Sequence, residues 1–430
     1  MTDLSQRSTI SRIKAAYSKS TVAKFLAYAG PALIVSMAYM DPGNYGTDIQ
    51  GGAGFGYTLL WVVWLASGMA MILQYLSGKL GIATEKSLPE IIREKFGNRK
   101  MYVLPYWLAA EAAIAATDLA EYLGTVIALN LLFGVPLIYA AIFGALDVVI
   151  ILTLTSRRFR ILEQFFVIFV SIITFGYLYE LLVTKPDLAS IAYHSITPSF
   201  AGSSQAVLIA VGVIGATVMP HALFIHSSLT KSKVEGKHIE EKRAARKFHL
   251  VENIALLTIA GIVNAAIMIM SAAAFFPDNS GIASISEAYK TLVPLFGAAA
   301  GTIFLLTLLS SGIASSVVGT LSGQTLMEGL LGKKFNVWIR RFITRFVNVA
   351  PTTLAIIIGL DPLSILVYSQ VILSLMIPLP MIPLVILTRN KKLMGEFVNK
   401  RVTTLIAIVS VGIILAFNTY LIISTFFNLG

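Results

Sequence analysis

The chain has 430 residues, of which 56% are hydrophobic and only 13% charged, and its formal net charge is +11. About a quarter of the residues in a soluble globule are charged, so this composition excludes one and describes a protein that crosses a membrane many times. Cysteine is absent, which removes disulfides, thiolate metal sites and thiol redox motifs.

Residues 1–24 are polar and basic (Arg7, Arg12, Lys14, Lys19, Lys24) and predict a cytoplasmic tail. No small-residue cleavage site follows it, so a signal peptide is not the reading. Beyond it, apolar stretches of about 20 residues predict eleven spans within one transmembrane domain over 25–427. They fall near 25–55, 57–78, 102–128, 136–156, 161–183, 205–230, 250–275, 294–328, 342–360, 362–388 and 403–427. Assigning the connections alternately to two sides puts all but two of the 33 Lys and Arg on the side of the N-terminus, the exceptions being Lys185 and Lys290. The positive-inside rule then places the N-terminus in the cytoplasm and the C-terminus outside, in a multi-pass protein of the cell membrane. The basic balance is therefore topology, and nucleic acid is excluded as a partner.

The first span contains Met37-Ala38-Tyr39-Met40-Asp41-Pro42-Gly43-Asn44-Tyr45, a carboxylate and two helix breakers in a run from Phe25 to Gly78 that has no Lys or Arg. An unpaired backbone group in lipid costs several kcal/mol (~4 or more against hydrocarbon), so such a break makes sense only where it lines a cavity. Downstream, Gly51-Gly52-Ala53-Gly54-Phe55-Gly56 lacks the strand and the Lys-Ser/Thr of a phosphate loop and is expected to be a flexible turn at the outer face.

Glu111, Asp118 and Glu121 in the third span lie within roughly 80° of one helical face. Carboxylates at such depth face a partner or a water-filled path. A structural salt bridge is the competing reading, with Arg340, Arg341 and Arg345 at the start of the ninth span as counter-charges. Asp147 in the fourth span and Glu252 in the seventh are lone acids, expected to be hydrogen-bonded structural groups, while Glu163 and Glu180 lie near span ends and are expected to be solvated.

In the sixth span, Gly212-Val213-Ile214-Gly215-Ala216-Thr217-Val218-Met219-Pro220-His221 repeats the architecture of the first break. His221, beside the break, reads as functional; His226, about one and a half turns on, is divided between function and packing. The charged connection 231–249 predicts a solvated cytoplasmic helix, and Gly297 with Gly301 a close helix contact. Gln370 in the tenth span must bond a neighbouring helix or face the central site.

Two interrupted hydrophobic segments in corresponding halves point to a midplane binding site in a secondary transporter. The groups on offer are the Asp41 carboxylate, the Asn44 amide oxygen, the Met219 thioether and carbonyls freed by unwinding. A carboxylate with a soft sulfur favours divalent transition metals over Mg²⁺ and Ca²⁺, which prefer oxygen alone. An amino-acid symporter is the rival, but Asp41 would repel a substrate carboxylate. An enzyme or receptor lacks support: there is no Ser/His/Asp set and no zinc-spaced His/Glu motif.

Asp41-Pro42-Gly43-Asn44 and Met219-Pro220-His221, with Ala116-Thr117-Asp118-Leu119-Ala120-Glu121 in the third span, resemble the signature motifs of the Nramp divalent metal transporter family. The resemblance covers essentially all eleven spans. It implies an all-α LeuT-type fold with spans 1–5 (about 25–183) and 6–10 (about 205–388) as inverted repeats, an extra helix at about 403–427, and proton-coupled uptake of Mn²⁺ or Fe²⁺. Apart from the lipid bilayer, the transported metal and protons, no partner or resident cofactor is expected, and the chain is expected to be a monomer. The resemblance further implies Asp41, Asn44, Met219 and the Ala216 carbonyl as metal ligands, joined in some states by Gln370 and the Ala38 carbonyl. His221, Asp118 and Glu121 would serve the proton route, with Glu111 and His226 in attendance. Relatives that carry magnesium or aluminium depart from the pattern at the methionine, which this chain keeps.

Overall fold

The computed structural model describes residues 28, 30–97, 99–145, 159–200, 202–282, 285–333, 336, 338–340, 342–343, 354, 358 and 362–427. The expected tail 1–24, Asp147, Arg341, Arg345 and most of the ninth span lie outside them. All regular structure among the described residues is helical. Eight helices or helix pairs among these residues are long and apolar enough to cross a membrane.

The first span is two short helices, α1 (Pro31–Ala38) and α2 (Pro42–Phe55), neither long enough to cross alone. Proline explains both starts: it fixes a helical φ and lacks the N–H that the first turn leaves unused. Gly30 enters α1 at φ 116, a conformation only glycine takes without strain. The α1 N-terminus is closed from outside its own segment, by Glu252, whose Oε1 accepts from Gly30 N at 2.6 Å and Leu33 N at 3.3 Å. The lone acid of the seventh span is thus a structural, hydrogen-bonded group that satisfies amides of a helix in another span.

Helices α3 (Leu60–Thr84), α4 (Leu88–Lys95), α5 (Lys100–Phe133), α6 (Leu137–Ala145) and α7 (Phe159–Thr184) follow. After α8 (Leu188–Ile196), the sixth span is again a pair, α9 (Ser204–Thr217) and α10 (Pro220–Val234). Then come α11 (Ile239–Phe275), α12 (Ile285–Phe296) and α13 (Ala298–Leu331). The tenth span divides at Pro378 into α14 (Pro362–Met376) and α15 (Pro378–Thr388), and α16 (Lys391–Met394) leads to α17 (Arg401–Phe427). Asn418 of α17 pairs with Ser374 of α14 in both directions, at 2.7 Å each, which docks the last helix.

Two expectations change. The glycine run 51–55 is the end of α2, not a turn, and the chain turns only at 56–59. Missing side chains let α2 press onto α11: a Cβ at Gly51 would meet the Met268 methyl at 2.9 Å, and one at Gly52 the Ser271 Cβ at 2.7 Å. Glycine serves here for close helix approach. Glu180 is the second correction: its side chain is buried, not solvated. The 231–249 segment is helical as expected, but as continuations of α10 and α11 around a turn at 235–238. This basic face is tied together by Lys242 with Glu85, and by Arg243, whose Nε donates to Glu396 Oε1 at 2.9 Å. The same guanidinium holds the Glu396 carboxyl below its ordinary range.

The core around the two breaks depends on such close contacts. Gly215 of α9 faces the Gln370 carbonyl and, at 2.9 Å from an added Cβ, the Ser374 nitrogen, both backbone atoms of α14. Backbone cannot rotate aside as a side chain can, so Gly215→Ala is expected to force α9 and α14 apart and destabilise the fold by about 1–3 kcal/mol. The check is the thermal unfolding midpoint in detergent; an unchanged midpoint would show that this seam has slack.

Candidate functional site

Asp41 is the N-cap of α2, and its Oδ1 accepts from Asn44 N and Asn44 Nδ2, both at 2.9 Å. The other carboxylate oxygen, Oδ2, is buried with no hydrogen-bond partner among the described residues. Capping uses half of the carboxylate and leaves the remainder facing inward.

Asn44 links the two breaks. Its Nδ2 reaches the Tyr39 carbonyl at 3.0 Å and the Ala216 carbonyl of α9 at 3.4 Å, and Thr217 Oγ1 donates to its Oδ1 at 3.5 Å. The carbonyls of Ala38 and Ala216 each precede a proline, Pro42 and Pro220, by four residues. Since proline has no N–H, neither carbonyl can complete its helical bond, and both remain available as acceptors. Met219 is the N-cap of α10 and is buried. Gln370 lies against Gly43, where a Cβ would be 2.9 Å from Gln370 Oε1; Gln370 Nε2 donates to Ser369 Oγ at 3.0 Å and its Oε1 is buried without a partner among the described residues.

Among the described residues no group of three or more His, Asp or Glu is arranged to hold a metal ion. The polar atoms brought together where the breaks meet are therefore one carboxylate with amide and carbonyl oxygens. Buried acceptors without donors suit a cation.

The expected proton groups divide in two. His221 Nδ1 is 3.3 Å from Thr117 Oγ1 of α5, the residue that precedes Asp118. Asp118 and Glu121 both face Gly319 of α13, at 2.9 and 3.0 Å from where a Cβ would stand. Glu111, further along the stripe, is ion-paired with Arg340. His226 takes another direction: its Nδ1 meets Gln74 Oε1 at 2.8 Å, and Gln74 Nε2 donates to the Tyr39 hydroxyl at 2.6 Å. The site also uses Asn264 of α11, whose Nδ2 reaches the Tyr39 carbonyl at 2.9 Å and Asn44 Oδ1 at 3.4 Å. Tyr39, Gln74, Thr217 and Asn264 are site residues that sequence reasoning misses; an isolated amide in an apolar span is the signal for Gln74 and Asn264.

Two broken helices meeting at a buried carboxylate within a bundle of apolar spans define a multi-pass membrane transporter. The match to known proteins is more specific. Residues 32–424 fit the family model described as Nramp, natural resistance-associated macrophage protein-like, and the chain belongs to that family. It is 44% identical over 401 residues to the divalent metal cation transporter MntH of Verminephrobacter eiseniae, covering 93% of this chain and 90% of the relative. MntH of Deinococcus radiodurans is 41% identical over 402 residues, with 93% and 90% covered. Among solved structures, the Eremococcus coleocola manganese transporter in complex with an aromatic bis-isothiourea substituted compound superposes with a TM-score of 0.83 at 32% identity, covering 93% of this chain and 86% of that one. Mhp1, a nucleobase-cation-symport-1 transporter, matches at a TM-score of 0.57 and 12% identity over 93% of this chain and 92% of its own, a likeness of fold alone.

Proposed function

We propose that the chain carries divalent transition-metal ions of the Mn²⁺ and Fe²⁺ class across the cell membrane by alternating access, coupled to protons. The observation that carries this reading is Asp41 Oδ2, a buried and unpartnered carboxylate oxygen where the two breaks converge. The relatives named as divalent metal cation and manganese transporters support it. Eleven spans with repeats over about 25–183 and 205–388, and a cytoplasmic N-terminus, complete the proposal.

Metal enters from the face opposite the basic connections and exchanges water for Asp41, Asn44, Met219 and the Ala216 carbonyl. Gln370 Oε1 and the Ala38 carbonyl join as the helix pairs α1/α2 and α9/α10 rearrange. His221, Asp118 and Glu121 carry the proton away from the cation by the side of α5 that faces α13, while Glu111 with Arg340 marks the far end of that stripe. Each inward elementary charge gains roughly 2.3 kcal/mol per 100 mV of membrane potential.

Calorimetry on the purified chain with Mn²⁺, Mg²⁺, Ca²⁺ and an amino-acid mixture tests the substrate, and Mn²⁺ uptake into proteoliposomes under an imposed proton gradient tests the coupling. Mn²⁺ is expected to bind at least about tenfold more tightly than Ca²⁺, a difference of about 1.4 kcal/mol. Binding of an amino acid with no Mn²⁺ signal would sink the metal reading, and uptake indifferent to the gradient would remove the proton from it.

A further inference from the structure

Glu180 has no place in the site described above, and its surroundings are unusual for a carboxyl group. It lies one helical turn inside Thr184, the last residue of α7, at the end remote from the basic connections. Its side chain is buried, and neither carboxyl oxygen has a hydrogen-bond partner among the described residues. Helical spacing puts Gly176, Tyr177, Glu180 and Thr184 on one face of α7. That face is directed at two other helices. Gly176 packs on Ile303 and Thr307 of α13, and the Tyr177 ring meets the Tyr45 ring of α2 edge-on, 5.5 Å between centroids. Tyr45 also packs on Phe304 of α13, so the three helices share one seam. Glu180 is the next turn along it.

The charged and titratable groups near this seam are few. The outer halves of α11 and α13 contribute none, α2 contributes Tyr45 and Asp48, α7 contributes Tyr177, and Lys185 and Asp187 stand at the rim beyond Thr184. A cation that could neutralise Glu180 inside the seam is absent among the described residues. An ionised carboxylate left there without water or a partner is strongly disfavoured by lost hydration, so the closed packing suits the carboxylic acid and opposes the carboxylate.

We infer that Glu180 is a proton-operated latch on this face: with its proton it seats in the α7–α13–α2 seam and keeps the outer half of the broken first span clamped, and without it the seam parts to let water in. The chemistry is one proton exchanged between bulk water and the Glu180 carboxyl, with no other bond made or broken. The latch rests on the alternating-access reading, because Asp41 caps the start of α2 and parting α2 from α7 opens the way toward that carboxylate.

The absence of cysteine makes a clean test. Thr184→Cys, at a position only 8% exposed, reports opening by its reaction with a membrane-impermeant maleimide, divided by the rate at Leu188→Cys, a position 75% exposed, to remove the pH dependence of the thiol itself. Across about pH 5 to 9 the ratio is expected to rise about tenfold, since loss of the proton opens the seam. Adding Glu180→Gln should hold the ratio low and flat, while Glu180→Asp, which still titrates, should keep a slope. A flat ratio in the Glu180 protein, or a Gln variant that keeps its slope, overturns the latch. No metal is present in this assay. Mn²⁺ binding by Glu180→Gln, expected within about twofold of the Glu180 protein, shows that the variant is folded, and failure of the Glu180 protein itself to bind Mn²⁺ would count against the proposed function separately.

Discussion

Asp41→Asn is expected to weaken Mn²⁺ binding at least about 100-fold, about 2.7 kcal/mol, and to reduce uptake in proteoliposomes to background. The substitution separates two roles of one residue. Asparagine caps helices as well as aspartate does, and its Oδ1 can still accept from the Asn44 amide, so the start of α2 should survive. What disappears is the negative charge and the second acceptor oxygen, Oδ2, which is the atom without a partner. In its place stands an NH₂ group that donates where a cation requires an acceptor. A destabilised, poorly folded variant would be a different outcome, recognised by a lowered unfolding midpoint. Calorimetry is therefore run on protein whose midpoint lies within a few degrees of the unmodified chain. Mn²⁺ binding retained under that condition would remove the carboxylate from the site.

The two breaks are legible in the sequence because a proline, a glycine and a polar group inside an apolar run have no other economical explanation, and Pro42 and Pro220 open the second helix of each pair. The capping geometry follows from the same residues. Contacts across helices are less legible. Asn264 and Gln74 each occupy a span whose remaining residues say nothing of direction, and only the packing of α11 and α3 against Tyr39 gives them partners. Glu252 is hydrogen-bonded as its burial in a span requires, but its partner, the amide end of α1, is 222 residues away. The two corrections have a common origin. Composition favours a turn for the glycines of 51–55, whereas a bundle rewards glycine wherever two backbones must approach. Distance along the chain to a span end points Glu180 at solvent, a measure blind to the packing of the Tyr45 ring of α2 against Tyr177 on the α7 seam.

On the proposed reading selectivity rests on Met219, and Met219→Ala is expected to leave Mn²⁺ uptake largely in place while Ca²⁺ and Mg²⁺ become competitors. The reasoning begins with donor chemistry. Oxygen ligands alone bind hard cations well, so a site of Asp41, Asn44 and two carbonyls would accept Ca²⁺ by coordination number and charge. A thioether contributes little to Ca²⁺ or Mg²⁺ but bonds softer transition ions, and its bulk occupies a position that water or an oxygen ligand could otherwise take. Truncation therefore changes the ratio of affinities more than the Mn²⁺ affinity itself, and the preference for Mn²⁺ over Ca²⁺ is expected to fall about 10-fold or more, about 1.4 kcal/mol. Met219 is also buried, and removing it leaves a cavity that costs about 2–5 kcal/mol of stability. Met219→Leu separates the two effects, because leucine restores most of the volume without sulfur. If the thioether is a ligand, the Leu variant recovers the unfolding midpoint but not the discrimination. Should Met219→Leu reject Ca²⁺ as well as the unmodified chain does, the methionine is packing and the selectivity has another source.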